Sequence, residues 1–428
     1  MSFIADLHIH SRYSRAVSKD MVPESLYRWA QLKGITVVGT GDFTHPAWFA
    51  ELQEKLEPAE PGLYRLKPEL AASVDAGIPE SCRADVRFML TSEISSIYKR
   101  HERTRKVHNL IFAPGFSAVA NVTDRLARIG NLHSDGRPIL GLDSEELLRI
   151  MLERAPEALF VPAHAWTPHF SVFGANSGFD SLEECFGELS PRIRVIETGL
   201  SSDPPMNWRL SQLDEITLIS NSDAHSPGKL GREANVLNGD LSFDGIKTAF
   251  TSGDPALFLG TIEFFPEEGK YHYDGHRNCQ IRLSPEEART HDSVCPECGK
   301  PVTRGVMHRV EMLADHPAGH RSRRALPYWS LVPLVELIAE VHGAGVNTKG
   351  VTEAYRQLLA TLGNEFEILM NVPVADIEEN GGKLLALAIQ RMRAGNVTIA
   401  PGYDGEYGTV CLLSQEDRQA DSSQISLF

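Results

Sequence analysis

The sequence predicts an α/β fold in which a parallel sheet is closed by helices, followed by a small metal-binding module and a mostly helical C-terminal part. Three observations predict this order. Up to about residue 265, short β-branched runs alternate with helical stretches, which is typical of parallel sheets and barrels. Residues 267 to about 315 are rich in histidine and cysteine, and from about 316 the pattern is helical, as in 331–342 and 352–362.

Length and composition set the bounds of the prediction. With 428 residues, 42% hydrophobic and 23% charged, the chain has the composition of a soluble globular protein of two or three domains. We expect domains at 1–265, 266–315 and 316–413, with a flexible tail at 414–428. No signal-peptide pattern or membrane span is found, so we expect a cytoplasmic, nucleoid-associated protein without a membrane partner. The net charge of -15, taken over the whole chain, argues against nucleic acid as a partner. Local patches of charge matter more than this total.

The stretch DLHIH near the start of the chain places His8 and His10 two residues apart. Successive side chains of a strand point to opposite faces, so both imidazoles share one face. Histidine, aspartate and glutamate recur where later strands end, in GTGDFTHP, LTSEIS, KVHNLIF, FVPAHAWTP and ISNSDAHSP.

These strand-end residues predict a metal centre. The carboxyl ends of parallel barrel strands meet at one rim, where imidazoles and carboxylates can hold two or three divalent cations about 3.5–4 Å apart. A single strand-end histidine is usually an ordinary hydrogen-bonding residue, but a set with His-x-His and Asp-x-His spacing is hard to explain that way. The candidate ligands are His8, His10, Asp42, His45, Glu93, His108, His164, Asp223 and His225, and Asp223, His225 and Glu93 are also the candidate catalytic residues.

The order and type of these motifs resemble the PHP family (polymerase and histidinol phosphatase) over roughly residues 1–235. The resemblance implies a metal-dependent phosphoesterase on a distorted (β/α)7 barrel, which needs no covalent nucleophile. Two motifs depart from the family. Ser14-Arg15-Ala16 stands where Ser-Asp-Gly is usual, so one customary acidic group is missing. Gly41-Asp42-Phe43 replaces Thr-Asp-His, which leaves His45 as the local substitute for a histidine ligand.

The segment after residue 265 carries four soft ligands in two pairs, in HRNC and CPECGK. Cys279, Cys295 and Cys298 with either His276 or His272 have zinc-ribbon spacing,. Four protein ligands leave no open position, so this zinc is expected to be structural.

Basic residues are concentrated in two runs, KRHERTRKVH (99–108) and HRSRR (320–324), the second followed by Tyr328 and Trp329. Charged runs are often only solvated surface. Beside a phosphoesterase centre they fit the backbone of DNA. The candidate DNA-binding residues are Lys99, Arg100, Arg103, Arg105, Lys106, Arg321, Arg323 and Arg324.

The chain ends in QISLF, an apolar tip on a polar segment. It resembles the pentapeptide with which bacterial repair and replication proteins bind the sliding clamp, with Gln424, Leu427 and Phe428 as candidate contacts. The alternative is a tail that folds back onto its own protein.

Together, the barrel motifs, the zinc module and the helical C-terminal part resemble endonuclease Q over nearly the whole chain. That resemblance implies a DNA repair endonuclease that cuts 5′ to deaminated bases (uracil, hypoxanthine, xanthine) and to abasic sites. We expect Zn²⁺ in both metal sites, with Mg²⁺ or Mn²⁺ as alternatives in the barrel, and damaged DNA and a sliding clamp as partners. The alternatives are a small-molecule phosphatase of the histidinol-phosphatase kind and a non-catalytic, clamp-associated DNA-binding protein.

Overall fold

The computed structural model of the protein describes residues 2–419. The clamp-binding prediction for Gln424, Leu427 and Phe428 therefore lies outside the described residues. Within the described part, no helix combines the length and apolar character that a membrane crossing requires.

The region up to residue 265 alternates strands and helices, as its sequence pattern predicts. Its strands are β1 (Ser2–Asp6), β2 (Val37–Gly39), β3 (Leu56–Pro58), β4 (Tyr64–Leu66), β5 (Arg87–Arg100), β6 (Arg103–Ala113), β7 (Ile139–Leu140), β8 (Leu159–Pro162), β9 (Val195–Glu197), β10 (Thr217–Ile219), β11 (Ala234–Asn238) and β12 (Phe258–Glu263). Its helices are α1 (Pro23–Lys33), α2 (Pro46–Lys55), α3 (Pro68–Asp75), α4 (Phe116–Ala127), α5 (Ser144–Arg154), α6 (Leu182–Phe186), α7 (Pro204–Asn207) and α8 (Phe243–Ser252).

The rest of the described chain is mainly helical but contains short strands. The strands are β13 (Asp274–His276), β14 (Ile281–Leu283), β15 (Tyr328–Ser330), β16 (Thr398–Ala400) and β17 (Thr409–Cys411). The helices are α9 (Pro285–Thr290), α10 (Val306–Leu313), α11 (Leu334–His342), α12 (Lys349–Leu362), α13 (Glu365–Met370), α14 (Val374–Gly381) and α15 (Lys383–Arg393). The strands at 328–330, 398–400 and 409–411 differ from the mostly helical pattern predicted after residue 316.

Most strands join one mixed sheet, in the order β15-β12-β11-β1-β2-β5-β4-β3. Strands β6 and β7 both pair with β5, and β8 pairs with β6. In the centre, Ala5 of β1 lies opposite Val37 of the parallel strand β2 and opposite Asn235 of the antiparallel strand β11. β15 pairs with β12, so the chain returns to this sheet after the cysteine-rich segment.

Strands β5 and β6 form a long antiparallel hairpin, where the sequence pattern predicts parallel strands. Arg100 pairs with Arg103, and the two residues of the loop, His101 and Glu102, have φ angles of 51° and 59°. A two-residue loop with both φ angles positive is a type I′ turn, whose twist matches that of a hairpin. So short a connection permits only antiparallel pairing.

Strands β9 and β10 form a separate parallel pair that is joined to the main sheet at both sides. The amide of Ala165, just after β8, donates to the carbonyl of Glu197 in β9. Beyond β10, Ala224 forms a bridge to Ile9. One buried apolar cluster draws residues from all of these strands, including Ala5, Val37, Met89, Leu110, Val161, Val195 and Ile219. The strands therefore surround a common interior.

The helical C-terminal part is docked onto the sheet region by a buried ion pair. Lys33, at the end of α1, places its Nζ atom 2.7 Å from Oε2 of Glu365 in α13, and both side chains are 4% exposed. Glu365 also accepts hydrogen bonds from Tyr355 Oη and from the Leu334 amide. Gly34 ends α1 with a φ angle of 89°, and a Cβ atom there would collide with the Asn364 side chain.

Replacing Lys33 by alanine should destabilise the protein strongly. The change leaves the Glu365 carboxylate buried without its cation, which typically costs about 3–5 kcal/mol. Urea unfolding should show this loss, and the Lys33→Ala/Glu365→Ala double variant should be more stable than the sum of the single effects predicts. Exposed Lys19→Ala is the control, and a Lys33→Ala cost as small as that of the control would contradict a docking role.

Candidate active site

Two groups of potential metal ligands meet inside the ring of strand ends. The first contains His8, His10 and Asp223, and the second contains Glu93, His108 and His164. Within each group, one ligand atom per residue lies within 4.8 Å of the others. Glu93 and His108 lie on the same strand faces as Met89 and Leu110 of the interior cluster, because side chains alternate along a strand,.

Glu93 lies between the two groups. Its Oε1 atom is 2.7 Å from His108 Nδ1 and 3.0 Å from His164 Nε2. Towards the other group, its Oε2 atom is 3.4 Å from His10 Nε2, and Oε1 is 3.7 Å from His8 Nε2. This geometry suits a carboxylate that bridges two cations.

Arg137 adds a permanent positive charge to this centre. Its Nη1 atom donates to Glu93 Oε2 at 3.0 Å. The loop that carries Arg137 packs against Ser14 and Asp42, since a Cβ atom at Gly136 would collide with the Asp42 carboxylate and the Ser14 hydroxyl. Arg137 thus enters the site beside Ser14-Arg15-Ala16, the segment in which the acidic residue usual in the PHP family is missing.

Glu197, at the end of β9, orients His8. Its carboxylate lies 2.9 Å (Oε2) and 3.1 Å (Oε1) from His8 Nδ1, and it accepts hydrogen bonds from the His164 amide and from Asn221. A carboxylate behind a ligating histidine fixes the ring and leaves the other nitrogen for the metal. His8 Nε2 is therefore the nitrogen that faces the site.

Asp42 takes the same place behind His10. His10 Nδ1 lies 3.2 Å from Asp42 Oδ1, while Asp42 Oδ2 accepts from the Ser11 amide and from the Ser11 and Ser14 hydroxyls. Both carboxylate oxygens are thus occupied. The structure places Asp42 as a support for His10 rather than among the ligand groups.

His45 is not brought to the centre. It is the residue before α2, its ring stacks on Tyr13 with a centroid distance of 4.5 Å, and its Nε2 atom is 3.3 Å from the His133 carbonyl. His45 belongs to neither ligand group of the described residues, and its role as the substitute ligand stays a prediction.

His225 lies beside the first group. Its ring is 4.6 Å from that of His10, and its Nδ1 atom is 2.8 Å from the carbonyl of Asp223. The Asp223 and His225 side chains are 25% and 35% exposed, whereas that of Glu93 is fully buried. Asp223 and His225 therefore form the accessible side of the site.

Carboxylates favour the protonated imidazoles of His8 and His10. Burial acts to lower the pKa of His8, but Glu197, Asp223 and Glu93 outweigh it and raise that pKa well above its ordinary value. Burial also opposes protonation of His10, and hydrogen bonds to Asp223 and Asp42 raise its pKa to about 9. Protons and cations compete for these nitrogens, because a histidine must be neutral to bind a metal.

In the second group, the pKa shifts favour a neutral histidine and an ionised carboxylate. Burial lowers the pKa of His108 to about 4, although Glu93 opposes the shift. Burial acts to raise the pKa of Glu93, but His108, Arg137 and His8 outweigh it and hold that pKa well below its ordinary value. A neutral imidazole beside an ionised carboxylate is the state that binds a divalent cation.

The residues present fit divalent cations. Among the described residues, His8 Nε2 and His164 Nδ1 are buried and have no hydrogen-bond partner. A buried nitrogen without a partner is costly unless another group satisfies it. Three site residues, Asp42, His164 and Asp223, also have left-handed backbones, with φ angles of 50°, 28° and 46°, a strain that is common at functional sites.

Two important residues were missed by sequence reasoning. Glu197 carries the signal that identified the others, since it is an acidic residue at a strand end, in VIETG. Arg137 lies in a loop whose sequence has no pattern that points to the site, so only the tertiary structure reveals it.

The four soft ligands of the cysteine-rich segment also come together. His276, Cys279, Cys295 and Cys298 form one group of potential ligands, with Cys298 Sγ 3.5 Å from His276 Nδ1. His272 is buried and stacks on Tyr273 instead. The geometry therefore favours His276 over His272 as the fourth ligand.

The basic run at 99–108 divides between surface and interior. Lys99 and Arg103 are exposed near the hairpin tip, and partly buried Lys106 lies over the Phe170 ring. Arg105 is buried against Phe179 and donates to the Gly178 carbonyl.

Arg100 is partly buried, with 22% of its side chain exposed, and pairs with Asp143 and Glu145. The guanidinium groups of Arg100 and Arg105 therefore support the fold, and their contacts to DNA stay a prediction.

The second run divides in the same way. Arg321 and Arg323 are exposed, and the Arg321 guanidinium lies 5.8 Å from the centre of the Trp208 ring. Arg324 donates to the carbonyls of Glu215 and Ser252, so it too serves the fold.

Comparisons with known sequences find relatives of this chain. The family described as the MJ0043 C-terminal domain matches residues 333–396. Protein MJ0043 of Methanocaldococcus jannaschii is 33% identical over 259 residues, which are 59% of this chain and 32% of that protein, so the match spans about a third of the relative. Protein YqxK of Bacillus subtilis is 29% identical over 419 residues, 95% of this chain and 98% of its own length.

Two solved structures are similar over nearly the whole chain. The lesion-specific endonuclease PfuEndoQ from Pyrococcus furiosus is 32% identical, with a TM-score of 0.84, and the match covers 98% of this chain and 99% of that one. Endonuclease Q in complex with a 27-mer duplex substrate with an abasic lesion at the active site is 32% identical, with a TM-score of 0.82, and the match covers 98% of both chains.

Replacing the exposed Cys298 by serine should remove one zinc ion per chain and lower the unfolding temperature, because the binding free energy of a structural zinc is folding free energy. Elemental analysis and thermal unfolding measure the two effects. Cys411→Ser changes an exposed cysteine outside the group and is the matched control. Unchanged zinc content and stability in Cys298→Ser would rule out a closed structural site.

Proposed function

Since this chain belongs to the endonuclease Q family, we propose that it is a DNA repair endonuclease that cuts the strand 5′ to deaminated bases (uracil, hypoxanthine, xanthine) and to abasic sites. The observation that carries the proposal is the pair of candidate ligand groups joined by Glu93, in a chain that matches endonuclease Q over 98% of its length. The distorted (β/α)7 barrel of the PHP type is the framework we assign to the strands that surround these groups.

His8, His10 and Asp223 would hold one cation, His108 and His164 a second, and Glu93 would bridge them. Zn²⁺ suits this imidazole-rich set, with Mg²⁺ or Mn²⁺ as alternatives. Such cations lower the pKa of a bound water and neutralise charge on a phosphodiester. Asp42 and Glu197 hold the rings of His10 and His8 in place.

The accessible residues of the site would face the scissile phosphodiester, since Asp223 and His225 are partly exposed. Burial lowers the pKa of His225, so its neutral ring can accept a proton from the attacking water. Burial acts to raise the pKa of Asp223, but His8 and His10 hold it well below its ordinary value, so this carboxylate stays ionised and suits a cation. Arg137 adds a fixed cation that balances the negative charge of the phosphate. No side chain needs to form a covalent intermediate.

A cavity of about 570 Å³ beside the site is a candidate pocket for a damaged nucleotide. Enzymes that act at a damaged base commonly turn it out of the stack into a pocket. Arg232 lines the cavity and donates to the Ser222 carbonyl beside Asp223. Tyr271 and Tyr407, 38% and 75% exposed, offer rings on which a base could stack,.

Polar groups in the same cavity could read the edge of a base. His272 lines it and has a buried Nδ1 atom without a partner among the described residues. Glu268 also lines it, and burial raises the pKa of this carboxyl to about 7. Both groups can switch between donor and acceptor, as recognition of several deaminated bases would require.

For the DNA surface we propose the exposed members of the two basic runs, Lys99, Arg103, Arg321 and Arg323, with Lys106 at the edge. Contacts from such residues to phosphates supply affinity without sequence preference.

The terminal QISLF would bind a sliding clamp, a proposal that rests on the sequence alone.

Asp223→Ala should reduce nicking at least about 100-fold, since loss even of a group behind a metal ligand costs 10–100-fold, while DNA binding stays close to that of the unmodified protein. The assay uses labelled duplexes with uracil, hypoxanthine, an abasic site or no damage, and Asp244→Ala on the exposed side of α8 is the control. Unaltered nicking by Asp223→Ala would refute the metal assignment. Cleavage of a small phosphomonoester but of no damaged duplex would favour the phosphatase alternative.

Charge reversal at the hairpin tip, Lys99→Glu with Arg103→Glu, should weaken DNA binding and reduce its salt dependence. Each phosphate that the protein no longer neutralises lowers the magnitude of the slope of log K against log salt by about 0.9. Binding titrations at several salt concentrations provide the slope. Arg128→Glu, an exposed arginine outside both runs, is the control, and an unchanged slope in the tip variant would assign this run to ordinary solvated surface.

Deletion of residues 424–428 should abolish binding to a sliding clamp and leave nicking of short duplexes unchanged. Leu427 and Phe428 are the apolar anchors expected to supply most of the affinity. Clamp binding and nicking rates are measured on the full-length and shortened proteins. Equal clamp binding would refute the motif, and loss of nicking on short DNA would show that the tail belongs to the fold.

A further inference from the structure

A third cluster of ligand side chains lies outside the catalytic centre and the cysteine-rich segment. Asp214, His316 and His320 each place a ligand atom within 4.8 Å of the others. His316 Nε2 is 3.0 Å from Asp214 Oδ2, and the rings of His316 and His320 stack at a centroid distance of 3.8 Å. We propose that these three residues bind a divalent transition-metal ion, with zinc as the best fit.

The backbone around the cluster is held before any ion binds. The amides of Asp315 and His316 both donate to the Arg209 carbonyl, and the Arg209 guanidinium donates back to the His316 carbonyl. A turn with a hydrogen bond from the His320 amide to the Pro317 carbonyl brings the two histidines to the same side. The Ser322 hydroxyl then donates to the Asp214 carbonyl.

The donors suit zinc better than magnesium or calcium. Two imidazoles and one carboxylate form a borderline set, whereas the hard cations prefer oxygen alone. Asp214 Oδ1 is buried and has no hydrogen-bond partner among the described residues, so it can become a ligand at little cost.

The place of the cluster in the fold indicates a structural role. Asp214 precedes β10, whose other end leads to Asp223, so the two sites lie at opposite ends of one strand. The segment 314–324 connects the cysteine-rich region to the return strand β15 and carries the exposed Arg321 and Arg323. A metal at Asp214, His316 and His320 would fasten this segment to the sheet region.

The test counts zinc in the full-length protein. Wild type, His316→Ala, His320→Ala and the control His342→Ala, an exposed histidine on α11, are loaded with excess Zn²⁺, passed through a desalting column and analysed for zinc per chain. Each of the first two variants should hold one zinc fewer than wild type and the control. Equal zinc content in all four proteins would overturn the proposal.

A local readout separates this site from the other two. Trypsin cleaves after Arg321 and Arg323, and an ion that binds only the ordered segment should slow this cleavage by a factor of about 1 + [Zn²⁺]/Kd, roughly tenfold at ten times Kd. Zinc should protect wild type and His342→Ala but not His320→Ala or Asp214→Asn, a variant of the same size. Protection of all four proteins by zinc would assign the effect to another site and refute this one.

Discussion

The buried carboxylate of Glu93 sets the constraint on which the active site depends. A buried anion is stable only when cations and hydrogen bonds surround it, and Glu93 lies within 3.7 Å of nitrogens of His8, His10, His108, His164 and Arg137. These groups come from separate strands and loops of the sheet region. The closure of the strands around one interior therefore also brings these groups together, and divalent cations would complete the charge balance.

Two carboxylates behind the candidate ligands hold the rings of this charged interior in place. Glu197 holds His8, and Asp42 holds His10. The left-handed backbones of Asp42, His164 and Asp223 cost of order 1–3 kcal/mol each and persist only where the surrounding structure imposes them.

The sequence region after residue 265 adds surfaces rather than chemistry. The cysteine-rich segment brings Tyr271 and His272 to the cavity beside the site, and the loop between β16 and β17 brings Tyr407. In each basic run, some arginines are exposed and a neighbouring arginine is held by the fold. Arg105 is buried beside exposed Arg103, and Arg324 is bonded to backbone carbonyls beside exposed Arg323. This division leaves local basic surface on a chain that is acidic as a whole.

The sequence by itself determined the α/β class, the order of the strand-end motifs and the two ligand pairs of the cysteine-rich segment, because strand ends, spacing and residue type are local properties. Only the tertiary structure decided which polar residues face one another. It directs Asp42 behind His10, leaves His45 on Tyr13, buries Arg105 and brings Glu197 and Arg137 to the centre. It also pairs β5 with β6 in an antiparallel hairpin and draws Asp214 to two histidines about a hundred residues away. Direction of a side chain depends on how distant elements pack, and that packing has no signature in the neighbouring letters of the chain.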